Sequence, residues 1–342
     1  MRRLVATLAG PIIGGGVAMC AASREKTGAW PEMGVPQPAR QHKDGAVDAM
    51  LNYQHQHVDL VKSRRDLGGS DDALDGADWD RQTVVMRNGR HAQLTLEAQG
   101  FELVHDPKML HADYYDEGSV VGRYYRECEE LVKQATGAAK VFAFDHNVRC
   151  DAGKASGRRL KGGNLVQAPA GIVHGDYTAA SAPRRFAQLG QQPKANDPLK
   201  AVLGEAPLLD EALVRDALSG ARRFAFVNVW RPISTVEQKP LACADAASVR
   251  AEDLIVFQIV YADRVGENYF AKHAARHAWY YFPRMTRDEC LLIKQWDSHG
   301  ALADGGDTRR STFALHSAFK DPSAPESAAE RESIEVRCVL VF

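Results

Sequence analysis

The sequence has little that would point to a nucleic acid, a membrane or a disulfide-stapled scaffold. Across 342 residues the net charge is only −1, and Lys and Arg are dispersed with no basic stripe interleaved with aromatics. A polyanionic partner is therefore not expected, and a small-molecule substrate is. Cysteine is scarce: Cys20, Cys128, Cys150, Cys243, Cys290 and Cys338 include no C-x-x-C pair and no regular spacing. That disfavours a cysteine-built zinc site and favours buried or free thiols in a reducing compartment. There is no G-x-S-x-G elbow to suggest a serine hydrolase and no internal repeat. Nor is there an unbroken apolar run of membrane-spanning length. Residues 4–22 follow Arg2-Arg3 in loose imitation of a signal peptide, but Gly10, Pro11 and three consecutive glycines from Gly14 interrupt them. Residues 1–45 are expected to be a disordered or miscalled extension. The remainder, 46–342, is expected to be one domain, for which a hydrophobic content of 45% provides ample core.

What is present is a set of metal-ligating residue types in a suggestive order: His174-Gly175-Asp176, much later His316, then Arg331-Glu332-Ser333. In an extended strand, residues i and i+2 point to one side, so His174 and Asp176 can hold one ion together. A second imidazole from His316 would complete a set of two histidines and one carboxylate on one face of an octahedral metal. Three positions then stay open for a bidentate organic acid and O₂, as in non-haem Fe(II) oxygenases. Arg331 and Ser333 also stand two apart, at the head of a run that alternates polar and apolar residues and is expected to be a half-buried strand. A guanidinium fork beside a hydroxyl suits a terminal carboxylate such as the far end of 2-oxoglutarate. Arg337 on the same strand face is a second choice for that carboxylate, Arg231 a third, and Asn228 a further hydrogen-bonding candidate.

Each residue has a plainer reading. H-x-D pairs arise by chance, His316 could be a core histidine tied to backbone groups, and Arg331 could pair with Glu330 or Glu332 at the surface. Asn228 could be a buried amide. The aromatics Tyr177, Trp230, Trp279, Tyr281 and Trp296 could wall a substrate site or simply fill the core. His146 and Arg149 could reach the mouth of a site, whereas His273 and His277, four apart with no carboxylate pattern beside them, look like surface histidines.

Several blocks occurring in one order carry a resemblance. They are Phe144-Asp145-His146-Asn147-Val148-Arg149, Val173-His174-Gly175-Asp176-Tyr177-Thr178, Asn228-Val229-Trp230-Arg231-Pro232-Ile233 and Trp279-Tyr280-Tyr281-Phe282-Pro283. Further on come Lys294-Gln295-Trp296-Asp297-Ser298, His316-Ser317-Ala318-Phe319-Lys320-Asp321-Pro322 and Arg331-Glu332-Ser333-Ile334-Glu335-Val336-Arg337. From about Leu51 to Phe342 the chain resembles the gibberellin desaturase-like oxygenases of secondary metabolism, which include the cephalosporin 7-alpha-hydroxylase component. The resemblance implies a mainly β fold with flanking helices around a double-stranded β-helix, or jelly-roll, core. It also implies Fe(II), 2-oxoglutarate and O₂ as cofactor and co-substrates, with His174, Asp176 and His316 as ligands. The implied activity is hydroxylation or desaturation of a small organic molecule. Such an enzyme needs a compartment supplying both iron and 2-oxoglutarate, so a cytoplasmic location is expected. Two rivals remain: a jelly-roll metalloenzyme that isomerises or dioxygenates without 2-oxoglutarate, and a non-catalytic small-molecule binding protein.

Local patterns place the elements. Residues 119–136 repeat apolar side chains at helical spacing up to Gly137, and 208–218 form a second helical candidate. Residues 141–144, 223–230, 254–261 and 279–282 have the β-branched and aromatic content of strands. Residues 93–104 suggest a short strand pair or a strand entering a helix. Thr286-Arg287-Asp288-Glu289 has capping-box form, so a short helix through 292–296 is expected. Loops are expected at 68–72, 179–183 and 322–329.

Overall fold

A computed structural model of the chain describes residues 27–38, 40–66, 74–106 and 113–342. The first seven strands are β1 (Thr27–Gly28), β2 (Val47–Gln54), β3 (Leu60–Arg64), β4 (Leu74–Asp75), β5 (Trp79–Asn88), β6 (Phe101–His105) and β7 (Lys140–Arg149). There follow β8 (His174–Gly175), β9 (Phe224–Pro232), β10 (Leu241–Ala244), β11 (Leu254–Val260) and β12 (Val265–Ala271). The last four are β13 (Trp279–Tyr281), β14 (Glu289–Asp297), β15 (His316–Ala318) and β16 (Ser333–Val341). Eleven of them form one sheet in the order β1-β4-β3-β11-β12-β8-β15-β10-β13-β5-β2, and five form a second in the order β6-β14-β9-β16-β7. Neighbours are antiparallel except β3 with β11 and β5 with β13. Two largely antiparallel sheets enclosing a core give the expected jelly-roll architecture, which limits exposed sheet edges and leaves room for a site between the layers.

The five-stranded sheet is buried on both faces. On its inner face Leu291 and Ile293 of β14 join Phe101 and Trp230 in one apolar cluster. On its outer face Val227, Val229, Val336 and Cys338 join Cys128 and Val132 of the helix Tyr125–Thr136. Burying a side chain such as Val132 is worth about 1.5–3 kcal/mol. The helix corresponds to the one expected over 119–136, but it is entered through a π-turn at Val120–Tyr124. It ends at Gly137, whose φ of 68° is cheap only without a Cβ. The helix expected over 208–218 begins later, at Glu211–Leu218, because the Asp210 side chain accepts from the N–H of Leu213 and caps it there.

Some expectations fail for identifiable reasons. Residues 292–296 are not helical but lie in β14. Glu289 does accept from the N–H and hydroxyl of Thr286, at 3.0 and 3.4 Å, yet this pair closes a turn before a strand. The uninterrupted apolar run Cys290-Leu291-Leu292-Ile293 marks a strand covered on both faces, and every one of its residues is fully buried. Residues 179–183 are only partly loop, since the helix Ser181–Leu189 begins inside them. The backbone N–H of Thr178 donates to the Ser181 hydroxyl at 2.8 Å and that of Ser181 to the Thr178 hydroxyl at 3.0 Å, and Pro183 falls in the first turn, where its missing N–H costs nothing. Within 93–104 only β6 forms. β16 is buried almost throughout rather than half-buried, because its polar residues face an enclosed site instead of solvent.

Residues 1–26, with Cys20 and the signal-like stretch, and the expected loop at 68–72 lie outside the described residues. Of the remaining expected extension, Trp30 packs its ring within 6.5 Å of those of Trp79, Phe257 and Phe270. The indole of Trp79 donates to the carbonyl of Ala29 at 2.8 Å. Cys128, Cys150, Cys243, Cys290 and Cys338 are free and buried. No helix among the described residues is long and apolar enough to cross a membrane.

Candidate metal centre

β8 and β15 are adjacent strands of the large sheet, and their register sets His174 directly opposite His316. Their ring centroids are 4.2 Å apart. Asp176 follows β8 immediately, and its Oδ1 lies 3.9 Å from Nε2 of each histidine. One nitrogen from each imidazole and one carboxylate oxygen thus fall within 4.8 Å of one another, a spacing at which they can share one cation.

Backbone and side-chain partners aim all three. Nδ1 of His174 meets the carbonyl of Ile172 at 2.9 Å, and Nδ1 of His316 meets that of Ala314 at 3.2 Å. A carbonyl only accepts, so each Nδ1 carries the ring proton and each Nε2 presents its lone pair. Burial, reinforced by the neighbouring His316, pushes the His174 imidazole down to about 4, and burial also lowers that of His316. Both are neutral near pH 7, as metal ligands must be. Burial alone would raise Asp176, but Arg337, the two histidines and Asn228 hold it far below the usual carboxylate range. Its Oδ2 accepts from Asn228 Nδ2 at 2.9 Å and lies 3.5 Å from Arg337 Nε, which leaves Oδ1 for the ion.

The candidate co-substrate residues separate in the structure. Arg337 is already paired, with Asp145 at 2.8 Å, Glu335 at 3.3 Å and Asp176 at 3.5 Å. Arg231 turns to the opposite face of β9, where it meets Asp106 and the Tyr124 hydroxyl. Asn228 donates through Nδ2 to Asp176, while its Oδ1 is buried without a partner among the described residues. Arg331 differs: its guanidinium is fully buried over the Trp230 ring, donates through one nitrogen to the carbonyl of Lys239 at 2.7 Å, and forms no ion pair among the described residues. Burial, with Arg149 adding like charge, lowers it to about 9, so it stays cationic at neutral pH. Arg331 Nε and Ser333 Oγ are buried with no hydrogen-bond partner among the described residues. Such atoms cost about 1–3 kcal/mol each if left unmet. Arg149, directly across from Ser333 in the register of β7 and β16, brings a second guanidinium to the same place. Two cations, an unpaired hydroxyl and an unpaired N–H fit the distal carboxylate of 2-oxoglutarate, and the His174, Asp176 and His316 donor set fits Fe(II).

A cavity of about 840 Å³ opens beside Asp176 and Arg337. Of the five candidate aromatics only Tyr177 lines it. Trp230, Trp279 and Trp296 are buried in the core, and the Tyr281 hydroxyl is bound to the carbonyl of Gly45. His146 does not reach the mouth but is buried against the Tyr125 hydroxyl at 2.8 Å. His277 is not a surface residue either: its ring joins Asp253 to the Tyr53 hydroxyl, each at 3.1 Å. The pairing of Arg149 with Ser333 and the placement of Arg185 on the cavity wall were not marked by any spacing. Both depend on strand register or on a helix whose start the sequence obscured.

The chain has relatives among known proteins. The profile of a family described as Oxidoreductase/YMDC permease-like domain matches residues 50–204 and 206–342. Hydroxylase/desaturase efuI of Hormonema carpetanum is 30% identical over 316 residues, covering 86% of this chain and 95% of that protein. Alpha-ketoglutarate-dependent dioxygenase phiK of a fungal species is 30% identical over 304 residues, covering 88% and 98%. Among solved structures, the iron and alpha-ketoglutarate-dependent endoperoxidase NvfI shares the fold with a TM-score of 0.66 at 23% identity, over 86% of this chain and 97% of that one. The chain belongs to this family of hydroxylase/desaturase and 2-oxoglutarate-dependent dioxygenase oxidoreductases.

Proposed function

We propose that the protein is an Fe(II)- and 2-oxoglutarate-dependent oxygenase that hydroxylates or desaturates a small organic molecule in secondary-metabolite biosynthesis. In this reading His174, Asp176 and His316 hold the iron, and Arg331 with Ser333 holds the far carboxylate of 2-oxoglutarate, Arg149 assisting. The observation that carries it is the pairing of two half-built sites: three aimed ligand atoms, and a buried guanidinium N–H and hydroxyl that lack partners. When bound, iron, 2-oxoglutarate and O₂ together supply an oxidant able to take hydrogen from an unactivated C–H bond. The protein's part is placement. The carbonyls of Ile172 and Ala314 keep the imidazole protons on Nδ1, and Asn228 and Arg337 hold Asp176 Oδ2 away from the ion. Buried Leu315 and Phe313, with Trp296 stacked on the latter at 6.3 Å, keep water from the inner side.

A metalloenzyme that needs no 2-oxoglutarate would give Arg331 Nε and Ser333 Oγ nothing to bind, so their lack of partners favours the co-substrate reading. Five buried free thiols support a cytoplasmic location. The domain is proposed to run from residue 46 to 342. The test is to incubate anaerobically iron-loaded protein with 2-oxoglutarate, admit O₂ and measure succinate for wild type beside His316→Ala. Succinate from wild type alone is expected. Equal amounts from both would remove His316 from the site.

A further inference from the structure

The cavity beside Asp176 is lined by both charge signs, but the charges are not evenly matched. Arg337 is held by Asp145 and Asp176, while Lys194 and Arg264 both pair with Asp263. Arg185, on the helix Ser181–Leu189, also lines the cavity, yet it makes no ion pair and no hydrogen bond among the described residues. Its guanidinium carbon lies 5.0 Å from the centroid of Phe144, a ring that itself forms part of the wall. The side chain is half-buried, so it is steadied on an aromatic face with its donors turned to the cavity. Nearby, Tyr177 stacks on Phe226 at 4.6 Å, and its hydroxyl has no hydrogen bond among the described residues. A phenol hydroxyl without a partner can donate to a bound group. Amides from Gln167, Gln188 and Asn268 complete a wall rich in hydrogen-bonding groups.

We propose that the organic substrate is an acid whose anionic group is bound by Arg185 and the Tyr177 hydroxyl, with its apolar part against Phe144 and its reacting carbon toward Asp176. This deepens the proposed function and rests on the cavity being its substrate site. Two donors aimed at an anion, one of them charged, give a charge-assisted pair, whose loss costs about tenfold or more in affinity. A cavity of about 840 Å³ suits an organic molecule of drug-like size.

The experiment uses Fe(II)-loaded protein under nitrogen with saturating 2-oxoglutarate, so that the cradle at Arg331 is filled. Two fluorescent probes sharing one aromatic skeleton are titrated: 1-anilinonaphthalene-8-sulfonate, an anion, and N-phenyl-1-naphthylamine, which is uncharged. Wild type is expected to bind the sulfonate at least about tenfold more tightly than the neutral amine. Arg185→Gln should erase that preference, Arg185→Lys should keep part of it, and Arg159→Gln at the exposed rim should leave it intact, with circular dichroism confirming that each variant is folded. Equal binding of the two probes by wild type, or a preference that survives Arg185→Gln, overturns the proposal. Succinate formation by wild type is scored separately. Succinate with no anion preference removes the acidic substrate and keeps the oxygenase, whereas a preference that depends on Arg185 without succinate keeps the anion site and removes the oxygenase.

Discussion

On the side of Asp176 proposed to hold iron the polar atoms are placed largely by strands: His174 against His316 across β8 and β15, Asn228 and Arg337 as register partners on β9 and β16. On the side proposed to take the substrate the wall comes mostly from the helix Ser181–Leu189, the segment 191–199 and the turn between β11 and β12. Strand pairing fixes neighbours within a few tenths of an ångström, because each residue is tied to two chains by backbone hydrogen bonds. A helix held by one apolar face and a loop held by few bonds can change composition without disturbing those ladders. The difference separates what the enzyme does from what it does it to, and a variant can be aimed at one side alone.

The largest effect should come from the iron side. His174→Ala or Asp176→Ala should abolish both iron binding and succinate formation, measured by metal analysis and by turnover, since each removes one of three protein ligands. Normal activity in either variant would end the assignment. Next, Arg331→Ala should raise the KM for 2-oxoglutarate by about 10–100-fold while iron binding persists, in keeping with the loss of a charge-assisted contact. If the KM is unchanged and Arg337→Ala shifts it instead, the two arginines exchange roles. Asn228→Ala should weaken iron binding by about tenfold, the usual scale for a group that steadies a ligand, and its effect on the KM for 2-oxoglutarate should be small. A larger effect on the KM than on iron would mean that Asn228 touches the co-substrate.

A separate effect falls on stability rather than on turnover. The folded pKa values of His174 and His146 are both lowered to about 4, chiefly by burial, from an ordinary 6.5. Between these values the unfolded chain binds protons that the folded chain refuses. Iron-free protein should therefore hold its full stability above pH 6.5 and lose it as pH falls toward 4, by up to about 1.4 kcal/mol per unit for each histidine. Urea midpoints at pH 7, 6 and 5 measure this. His146→Leu should reduce the slope, and an unchanged slope would show that His146 does not contribute.

The same division explains what was legible in the sequence. His174 and Asp176 stood out because i and i+2 spacing on a strand needs no knowledge of pairing, whereas His316, far along the chain, was marked only by its place in the order of blocks. The preference for Arg331 over Arg337 rests in the sequence on the nearby Ser333 alone, since only register reveals that Asp145 lies opposite Arg337 and Arg149 opposite Ser333. β14 was mistaken at 292–296 because Thr286 and Glu289 make the same local contacts before a strand as before a helix, and the burial of Cys290–Ile293 on two faces is decided by distant chain. His277 was placed at the surface because Asp253 and Tyr53, which bury it, are far from it in sequence.

The ladder between β7 and β16 slips between Arg337 and Cys338: Arg337 pairs with Asp145, Cys338 with Ala143, and Phe144 is the extra residue between them. That residue supplies the ring on which Arg185 rests. A single added position thus lets Phe144 and Asp145 both reach the cavity, where regular alternation would send one of them outward. The substrate wall at this point is consequently a matter of chain length as well as residue type. Exchanging Phe144 would alter the wall, whereas deleting it would bring the strands back into step with Lys140–Ala143 still opposite Cys338–Val341, so that only the bulge and its ring are lost. Variation here can proceed by substitution, which changes the ring, or by deletion, which removes it and straightens the strand.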